Sequence, residues 1–314
     1  MNFVETINRS AFILTEGAVI ERLNRDPAIE LDPHVLHAGL IYDDTGRMAL
    51  EKIYRQYIGI GLKYNFPILL SAPTWRANPE RIDASQFKRH KSLNADCVRF
   101  MQSIRDSYKG YAKNIFIGGM MACRGDAYRP QEALSESDAT EFHKHQAAEL
   151  AESGADFIMA ATLPAVSESR GIATAIAVRD IPYIVSFVIR PNGALLDGTP
   201  LHRAIEQIDA LHQGAPFFYL VNCVHPTAFD QGLDREAAAS TLVRKRLIGL
   251  QANTSARSPE ELDGLEQLDG SEPEGFAEEL LGLHHKFGIK VIGGCCGTDH
   301  RHIEAIAAKL HKIY

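Results

Sequence analysis

The chain has 314 residues, of which 45% are hydrophobic, and a formal net charge of −7 at pH 7. This apolar content is enough to bury a large core, so the composition excludes a disordered protein. The basic residues are scattered, whereas phosphate recognition needs clustered Lys and Arg, so no nucleic-acid partner is expected.

Residues 1–19 contain only a short apolar run, and no apolar stretch reaches the eighteen or so residues that a membrane helix needs. We therefore expect a soluble, cytoplasmic protein without a membrane contact. The cysteine count is five, which is odd, and two of the cysteines are adjacent, so the set is a poor disulfide framework. In a reducing compartment such a set indicates metal or thiolate chemistry.

Short apolar runs alternate with longer segments of helical spacing along the whole sequence, as in βα units. Eight runs are candidate strands, the number that a closed barrel needs. These runs are Phe12–Leu14, Ile68–Ser71, Ile115–Ile117, Phe157–Ala160, Tyr183–Val188, Phe217–Val221, Ile248–Leu250 and Val291–Ile292. We predict one α/β domain over residues 1–314, a (β/α)8 TIM barrel. A doubly wound open sheet would give the same alternation and is the alternative.

The helical segments carry their own start and stop signals. Apolar residues from Leu50 onward recur at helical spacing, and a later helix from Phe276 is predicted to stop at Gly288. Thr298 and Asp299 are predicted to cap a last helix whose apolar face extends to Ile313. The acidic stretch 258–274 reads as a long surface loop.

Cysteines follow two of the predicted strands. Cys223 comes after the sixth strand, and Cys295 and Cys296 come after the eighth, among glycines 293, 294 and 297. Ligands of barrels and open sheets bind beyond the carboxyl ends of the strands, so the three thiols are expected to converge. Three sulfur ligands with one open position are the layout of a catalytic zinc site. The predicted cofactor is Zn²⁺, and a substrate thiol at the open position is the nucleophile, without a separate protein nucleophile.

Other interpretations of these residues are weaker. A single buried cysteine is usually a small core residue, and Cys97 and Cys123 are interpreted in this way. His225 is a lesser candidate for a metal ligand. Redox chemistry by the Cys295–Cys296 pair is a third hypothesis, although neighbouring cysteines form a strained ring.

At these residues the sequence resembles the homocysteine S-methyltransferase family, which includes betaine- and S-methylmethionine-dependent enzymes and the first module of cobalamin-dependent methionine synthase. The resemblance covers essentially the whole chain. The segments that match the family's motifs are Glu16-Gly17-Ala18, Phe142-His143, Ser186-Phe187, Leu196-Asp197-Gly198-Thr199-Pro200, Asn222-Cys223 and Gly293-Gly294-Cys295-Cys296-Gly297.

The resemblance implies that the three cysteines bind zinc, that the thiol of L-homocysteine takes the fourth place, and that methionine is released. The residues implied to bind substrate are Glu16, Gly17, Thr162, Asn222 and Asn253. The implied methyl donor is a small sulfonium or ammonium compound, with S-methylmethionine first, or a separate methyl-carrier protein. The oligomeric state is not predicted.

The sequence departs from the family after strands two and four. The family's glutamate, which holds the substrate ammonium, is replaced by Ala161, so Glu16 or Asp126 is expected to substitute. Otherwise the acceptor is a different thiol, or the chain is a non-catalytic zinc-binding relative. Thr74, Trp75 and Arg76 follow strand two: the Trp75 ring is expected to face a cationic donor, and Arg76 to pair with a carboxylate.

Overall fold

The computed structural model describes residues 1–256 and 271–313, and in it eight parallel strands close a barrel in sequential order. The predicted fold class is therefore confirmed, and the open sheet is excluded because β1 pairs with β8. The strands are β1 Ile13–Thr15, β2 Ile68–Ser71, β3 Ile115–Met121, β4 Phe157–Leu163, β5 Tyr183–Phe187, β6 Phe218–Val224, β7 Leu247–Ala252 and β8 Val291–Gly294. Most of the predicted loop 258–274 lies outside the described residues.

Helices surround the barrel. The described α-helices are α1 Phe3–Arg9, α2 Ile20–Asn24, α3 Asp44–Tyr64, α4 Pro79–Ala84, α5 Leu93–Asp106, α6 Glu136–Glu152, α7 Val166–Ala177, α8 Leu201–Asp209, α9 Pro226–Ala239, α10 Thr241–Arg246, α11 Pro273–Phe287 and α12 His300–Leu310. Short 3-10 helices span His37–Tyr42, Lys109–Asn114 and Pro130–Glu132. Among the described helices, none combines the length and the apolar character that crossing a membrane would require.

Alternate strand residues divide the core into two clusters. Ile13, Leu69 and Phe116 belong to the cluster inside the barrel, whereas their neighbours along the strands pack outward against the helices. Helix α1 closes the amino-terminal end of the barrel, because Phe3 enters the inner cluster and stacks on Phe157 with 4.7 Å between ring centres. The carboxyl-terminal end is therefore the one available for a site.

The predicted helix signals hold, with one exception. Helix α11 ends at Gly288 in the left-handed conformation, with φ of 73°. Asp299 caps α12, where its side chain accepts the N–H of Arg301, and the side chain of His302 completes a capping box. The apolar face of α12 was predicted to extend to Ile313. The helix instead ends at Leu310, and Ile313 is exposed.

Candidate active site

The three cysteines at the ends of β6 and β8 lie together at the carboxyl-terminal end of the barrel. Cys223 is part of β6, and Cys295 and Cys296 follow β8. Their Sγ atoms all lie within 4.8 Å of one another. Barrel closure explains this, because β6 and β8 flank the same strand, β7, and all eight parallel strands end on the same side.

A disulfide joins Cys223 to Cys295, whereas Cys296 is free and exposed. These are two of the three cysteines that the sequence analysis assigned to a metal site, and the third, Cys296, lies beside them. The two bonded residues are 72 positions apart in sequence, but their Cα atoms are only 5.5 Å apart. The positions of the cysteines after two strands predicted this proximity, and closure of the barrel produces it.

The cysteine cluster also fits a zinc ion. Tetrahedral zinc has zinc–sulfur distances of about 2.3 Å, which places the sulfur atoms about 3.8 Å apart. Reduction of the Cys223–Cys295 bond would leave three thiols within 4.8 Å, close to this spacing. Soft thiolates suit zinc better than hard cations such as Mg²⁺. Over residues 1–256 and 271–313, no fourth Cys, His, Asp or Glu joins the group, so a position remains for a ligand from outside.

Two strand residues at the site have unusual backbone conformations. Cys223 has φ of 56° and Thr162 has φ of 61°, in the left-handed region that residues other than glycine seldom adopt. Both coincide with shifts in strand register, one between Asn222 and Val224 and the other between Ala160 and Leu163. A bulge re-aims a side chain, which is how β6 can turn Cys223 toward the end of β8. Strain of this kind is often found at functional sites.

Asn222 and Thr162, both predicted to bind substrate, are bonded to each other. The Asn222 Oδ1 atom accepts the Thr162 N–H at 3.0 Å and the Ser186 hydroxyl at 2.6 Å, and its Nδ2 donates to Thr162 Oγ1 at 2.7 Å. This network joins β4, β5 and β6 directly beside Cys223. It shows that these side chains hold the two bulges in place.

Asn253 follows β7, between the two cysteine-bearing strand ends. Its side chain is buried, and its Oδ1 atom has no hydrogen-bond partner in the described structure. An unpaired buried acceptor is costly, so it calls for an N–H or O–H group from water or a ligand. The geometry is consistent with the predicted contact to substrate.

The loop after β8 is tightly enclosed. The Gly297 N–H donates to Glu21 Oε2 at 2.5 Å, and the Thr254 N–H donates to the Cys296 carbonyl at 3.2 Å. Gly297 has φ of 81°, and a Cβ atom there would lie 1.8 Å from Thr254 Oγ1. Glycine is therefore required at 297, and Glu21 on α2 is a residue that the sequence analysis missed.

We expect Gly297→Ala to lower stability and to lower zinc binding by the reduced protein. A left-handed alanine costs about 1–2 kcal/mol, and the contact with Thr254 adds to this by moving the adjacent Cys296. Gly198→Ala is the matched control, since Gly198 has φ of 87° but no atom within 4 Å of an added Cβ. Melting temperature and zinc content would be measured for both variants. Equal zinc loss in the two variants would contradict the steric explanation.

Glu16 follows β1 and is buried at 5% exposure. Both carboxylate oxygens accept the Ser71 N–H, at 3.0 and 3.2 Å, and no ion pair involves Glu16 in the described residues. Burial raises the pKa of the carboxyl group to about 7, although the hydrogen bonds from Ser71 oppose the rise. At Gly17 a Cβ atom would lie 2.8 Å from Thr298 Oγ1 and 2.9 Å from the Tyr57 hydroxyl, so the next position admits no side chain.

Trp75 lies over the end of β4, where its Nε1–H points at the Ala161 carbonyl at 3.4 Å. The Arg76 guanidinium lies 4.5 Å from the centre of the indole ring. One face of the ring thus already carries a cation, which differs from the predicted contact with a cationic donor. The same guanidinium donates from Nη1 to the carbonyls of Cys123, at 3.1 Å, and Gly125, at 2.6 Å.

Thr74 and Asp126 have local partners. The Thr74 hydroxyl donates to the Met120 carbonyl at 2.8 Å and accepts the Met120 N–H at 2.8 Å, so it ties the loop after β2 to β3. Asp126 is exposed, lies 3.8 Å from Arg129, and accepts the Tyr128 N–H at 2.8 Å. Asp126 is therefore a weaker candidate than Glu16 for holding a buried ammonium.

Glu168 anchors the loop between β3 and α6 through hydrogen bonds. This buried carboxylate accepts the N–H groups of Arg124 and Leu134, at 2.7 and 3.2 Å, and contacts His143 Nε2 at 2.9 Å. Burial alone would raise the pKa of Glu168, but the bonds from His143 and the two amides outweigh it and hold the pKa below its usual value. The same loop carries Tyr128, which is partly buried and packs against the core. The sequence analysis did not find Glu168 or Tyr128, because neither belongs to a motif.

The remaining candidates have structural roles. His225 Nδ1 accepts the Thr227 N–H at 3.2 Å and so caps α9. Burial raises the pKa of the Cys97 thiol well above its usual value and that of Cys123 to about 12. Neither buried thiol is part of the cysteine cluster.

Fold and site together define a class: a (β/α)8 barrel with three cysteines gathered at the carboxyl ends of its strands. The homocysteine S-methyltransferase family model matches residues 13–310. The chain belongs to this family, as the motifs around Cys223 and Cys295 predicted.

Relatives agree with this assignment. Homocysteine S-methyltransferase YbgG of Bacillus subtilis (strain 168) is 28% identical over 192 residues, which is 60% of this chain and 58% of that protein's length. The metallated form of the Escherichia coli homocysteine methyltransferase MmuM superposes with a TM-score of 0.76 at 20% identity, covering 97% of this chain and 98% of that one. Its oxidized form gives 0.75 at 20% identity, covering 96% and 97%. These structures share the fold.

Proposed function

We propose that the protein is a zinc-dependent S-methyltransferase that moves a methyl group from a small sulfonium or ammonium donor to a thiol, with L-homocysteine as the expected acceptor and methionine as the product. The observation that carries the proposal is the convergence of three cysteine sulfurs at the open end of the barrel. Zinc held by three thiolates lowers the pKa of an incoming thiol and keeps its sulfur nucleophilic.

The chemistry is a single displacement. A bond forms between the acceptor sulfur and the methyl carbon while the carbon–sulfur or carbon–nitrogen bond of the donor breaks. The electron pair of that bond leaves with the donor, which becomes a neutral sulfide or amine, and the thiol proton goes to solvent. The protein needs no nucleophile of its own. Its residues hold the two substrates in line and exclude water.

Glu16 is the proposed partner of the acceptor's ammonium group. Its carboxylate is buried without a cation, so a bound ammonium would satisfy it and favour the ionised form. Ala161 offers only a methyl group at the inner end of β4, and its carbonyl faces Trp75. A thiol without an ammonium group is the alternative acceptor, and a separate methyl-carrier protein is the alternative donor.

The test uses reduced, zinc-loaded protein with S-methylmethionine and two thiols, L-homocysteine and 4-sulfanylbutanoate, which lacks only the amino group. We expect methylated product with L-homocysteine, measured by mass spectrometry, because Glu16 recognises the ammonium. Product with 4-sulfanylbutanoate alone would keep the reaction class and change the acceptor. Zinc binding without product from a panel of sulfonium, ammonium and carrier-protein donors would instead indicate a non-catalytic relative.

A further inference from the structure

Cys223 would point away from the site if β6 were a regular strand. Side chains alternate along a strand, and Leu220 lies in the cluster inside the barrel, whereas Val221 lies in the one outside it. Continued alternation would place Cys223 outside, against the helices. Its sulfur instead lies within 4.8 Å of the other two cysteine sulfurs. The cysteine cluster therefore depends on a break in the alternation of β6.

The register of β6 shows where the alternation breaks. Asn222 pairs with Gln251 and Val224 with Ala252, so Cys223 is the one residue between them and has no counterpart on β7. It has φ of 56°. For a residue with a Cβ atom, this left-handed conformation is disfavoured roughly tenfold. Other contacts must therefore hold Cys223 in it.

Asn222, the residue before Cys223, is fixed by three hydrogen bonds. Its Oδ1 atom accepts the Ser186 hydroxyl at 2.6 Å and the Thr162 N–H at 3.0 Å, and its Nδ2 atom donates to Thr162 Oγ1 at 2.7 Å. An amide oxygen has two lone pairs, so this Oδ1 has no acceptor capacity left for a substrate. The three bonded residues are 0 to 4% exposed. Rotation of the Asn222 side chain would leave buried polar groups unpaired, which is costly.

Ser186 lies where the bulges of β4 and β6 meet. The strand that carries it, β5, pairs with β4 on one side and with β6 on the other. Beside the bulge in β4, Ser186 is the single β5 residue opposite two residues of β4, and one of those two is Thr162, with φ of 61°. Its hydroxyl is therefore a contact from the regular strand to both irregular ones.

We propose that Ser186 is a positioning residue: through Asn222, its hydroxyl holds Cys223 in the left-handed conformation that brings the sulfur to the cysteine cluster. The hydroxyl proton of Ser186 goes to Asn222, so Ser186 acts on the cluster only through that side chain. The inference rests on the proposed function for the identity of the metal. The convergence of the three sulfurs is a feature of the fold.

The test replaces Ser186 by Ala, which removes the hydroxyl and little else. Reduced protein would be titrated with Zn²⁺ against a chelator of known affinity, and with Co²⁺, whose charge-transfer absorption grows with the number of bound thiolates. We expect the zinc affinity to fall about 10- to 100-fold, the range for a residue that supports a metal ligand. The absorption per bound cobalt should also fall, because Cys223 is no longer aimed at the ion in every molecule.

Ser169→Ala is the matched control. Ser169 is also 0% exposed, and its hydroxyl also donates at 2.6 Å, but to the Ala165 carbonyl within the start of α7. This variant should keep the zinc affinity and the cobalt spectrum of the wild type. Equal losses in the two serine variants would assign the effect to general stability and overturn the proposal. Wild-type affinity in a folded Ser186→Ala protein would overturn it as well.

Thr162→Val reaches Asn222 from the other strand. Valine keeps the shape of threonine and its backbone N–H but lacks Oγ1, the acceptor of Asn222 Nδ2. Members of one hydrogen-bond network are coupled, so the double variant with Ser186→Ala should lose less zinc affinity than the product of the two single losses. Two losses that multiply independently would show that Ser186 does not act through Asn222.

Failure of the positioning role and failure of the proposed function give different results. In metal-free protein, Cys223 and Cys295 exchange with oxidised glutathione: the two thiols give up two protons and two electrons, their S–S bond forms, and two molecules of reduced glutathione leave. Ser186→Ala should shift this equilibrium about tenfold toward the thiols, because Cys223 is no longer aimed at Cys295. Alkylation followed by mass spectrometry measures the two forms.

This shift in a protein that binds no zinc keeps the positioning role of Ser186 and removes the zinc enzyme. Zinc binding and methyl transfer by the wild type, with neither the shift nor a loss of affinity in Ser186→Ala, keep the enzyme and remove the positioning role.

Discussion

Replacement of Cys296 by Ser is expected to abolish high-affinity zinc binding and to reduce the rate of methyl transfer. The loss should exceed the roughly 10- to 100-fold that removal of a residue supporting a metal ligand costs. Cys296 is the informative position because it lies outside the Cys223–Cys295 bond. A hydroxyl group is a poor replacement for a thiolate, so only two sulfur ligands remain. Zinc per chain after reduction and dialysis, and the initial rate with L-homocysteine, are the two measurements.

Cys97→Ser is the matched control for this substitution. Cys97 is buried on α5, its Sγ atom lies 3.5 Å from the Ala38 carbonyl, and it is remote from the cysteine cluster in the fold. It should keep its zinc and its rate. If Cys296→Ser kept both its zinc and its rate as well, Cys296 would not be a zinc ligand, and the proposed three-cysteine site would be wrong.

Replacement of Glu16 by Gln is expected to weaken binding of the thiol acceptor and to stabilise the protein at alkaline pH. The pKa of Glu16 is about 7 in the fold, against 4.5 for an ordinary glutamate. Ionisation is thus easier in the unfolded chain, and the free energy of unfolding falls as pH rises from 4.5 to 7. The pKa difference corresponds to about 3 kcal/mol. Glutamine does not ionise, so the variant should gain stability over the wild type at pH 8 and show little difference at pH 4.5.

Urea unfolding at pH 4.5 and pH 8 would measure the stability, and calorimetry with L-homocysteine would measure the binding. The expected loss of affinity is more than tenfold, because a charged hydrogen bond disappears. Glu30→Gln is the control, since Glu30 is exposed. A variant that gains stability at pH 8 but binds L-homocysteine as tightly as the wild type would show that Glu16 does not hold the ammonium. Unchanged pH dependence would show that the pKa of Glu16 is the same in the folded and the unfolded chain.

The sequence predicted the barrel well, because each strand contains a short apolar run, and Cys223 and Cys295 lie at the carboxyl ends of two of them. It predicted neither the left-handed conformation of Cys223 nor the bulge that aims it, since both depend on pairing with β7. Helix ends with a local signal, such as Gly288, were predicted correctly. The end of α12 was not predicted correctly, because apolar spacing alone does not show where a helix ends, and Ile313 lies beyond it.

Long-range electrostatics was the other limit of the sequence. Glu168 is in the first turn of α7, yet it bonds to amides on a loop more than thirty residues earlier in the chain. Such contacts have no spacing rule, whereas the paired cysteines and their glycines do. For this reason the cysteine cluster was visible in the sequence and the contacts of Glu168 were not.

The order of the ligands along the chain also has a consequence for synthesis. Two of the three sulfurs, and the strand that joins β7 to β1, lie beyond residue 290. Of the three clustered thiols, a nascent chain on the ribosome therefore carries only Cys223 until the residues beyond 290 emerge. If the cluster binds zinc as proposed, a barrel without β8 would offer only one of the three sulfurs, so metal uptake would report that the barrel has closed.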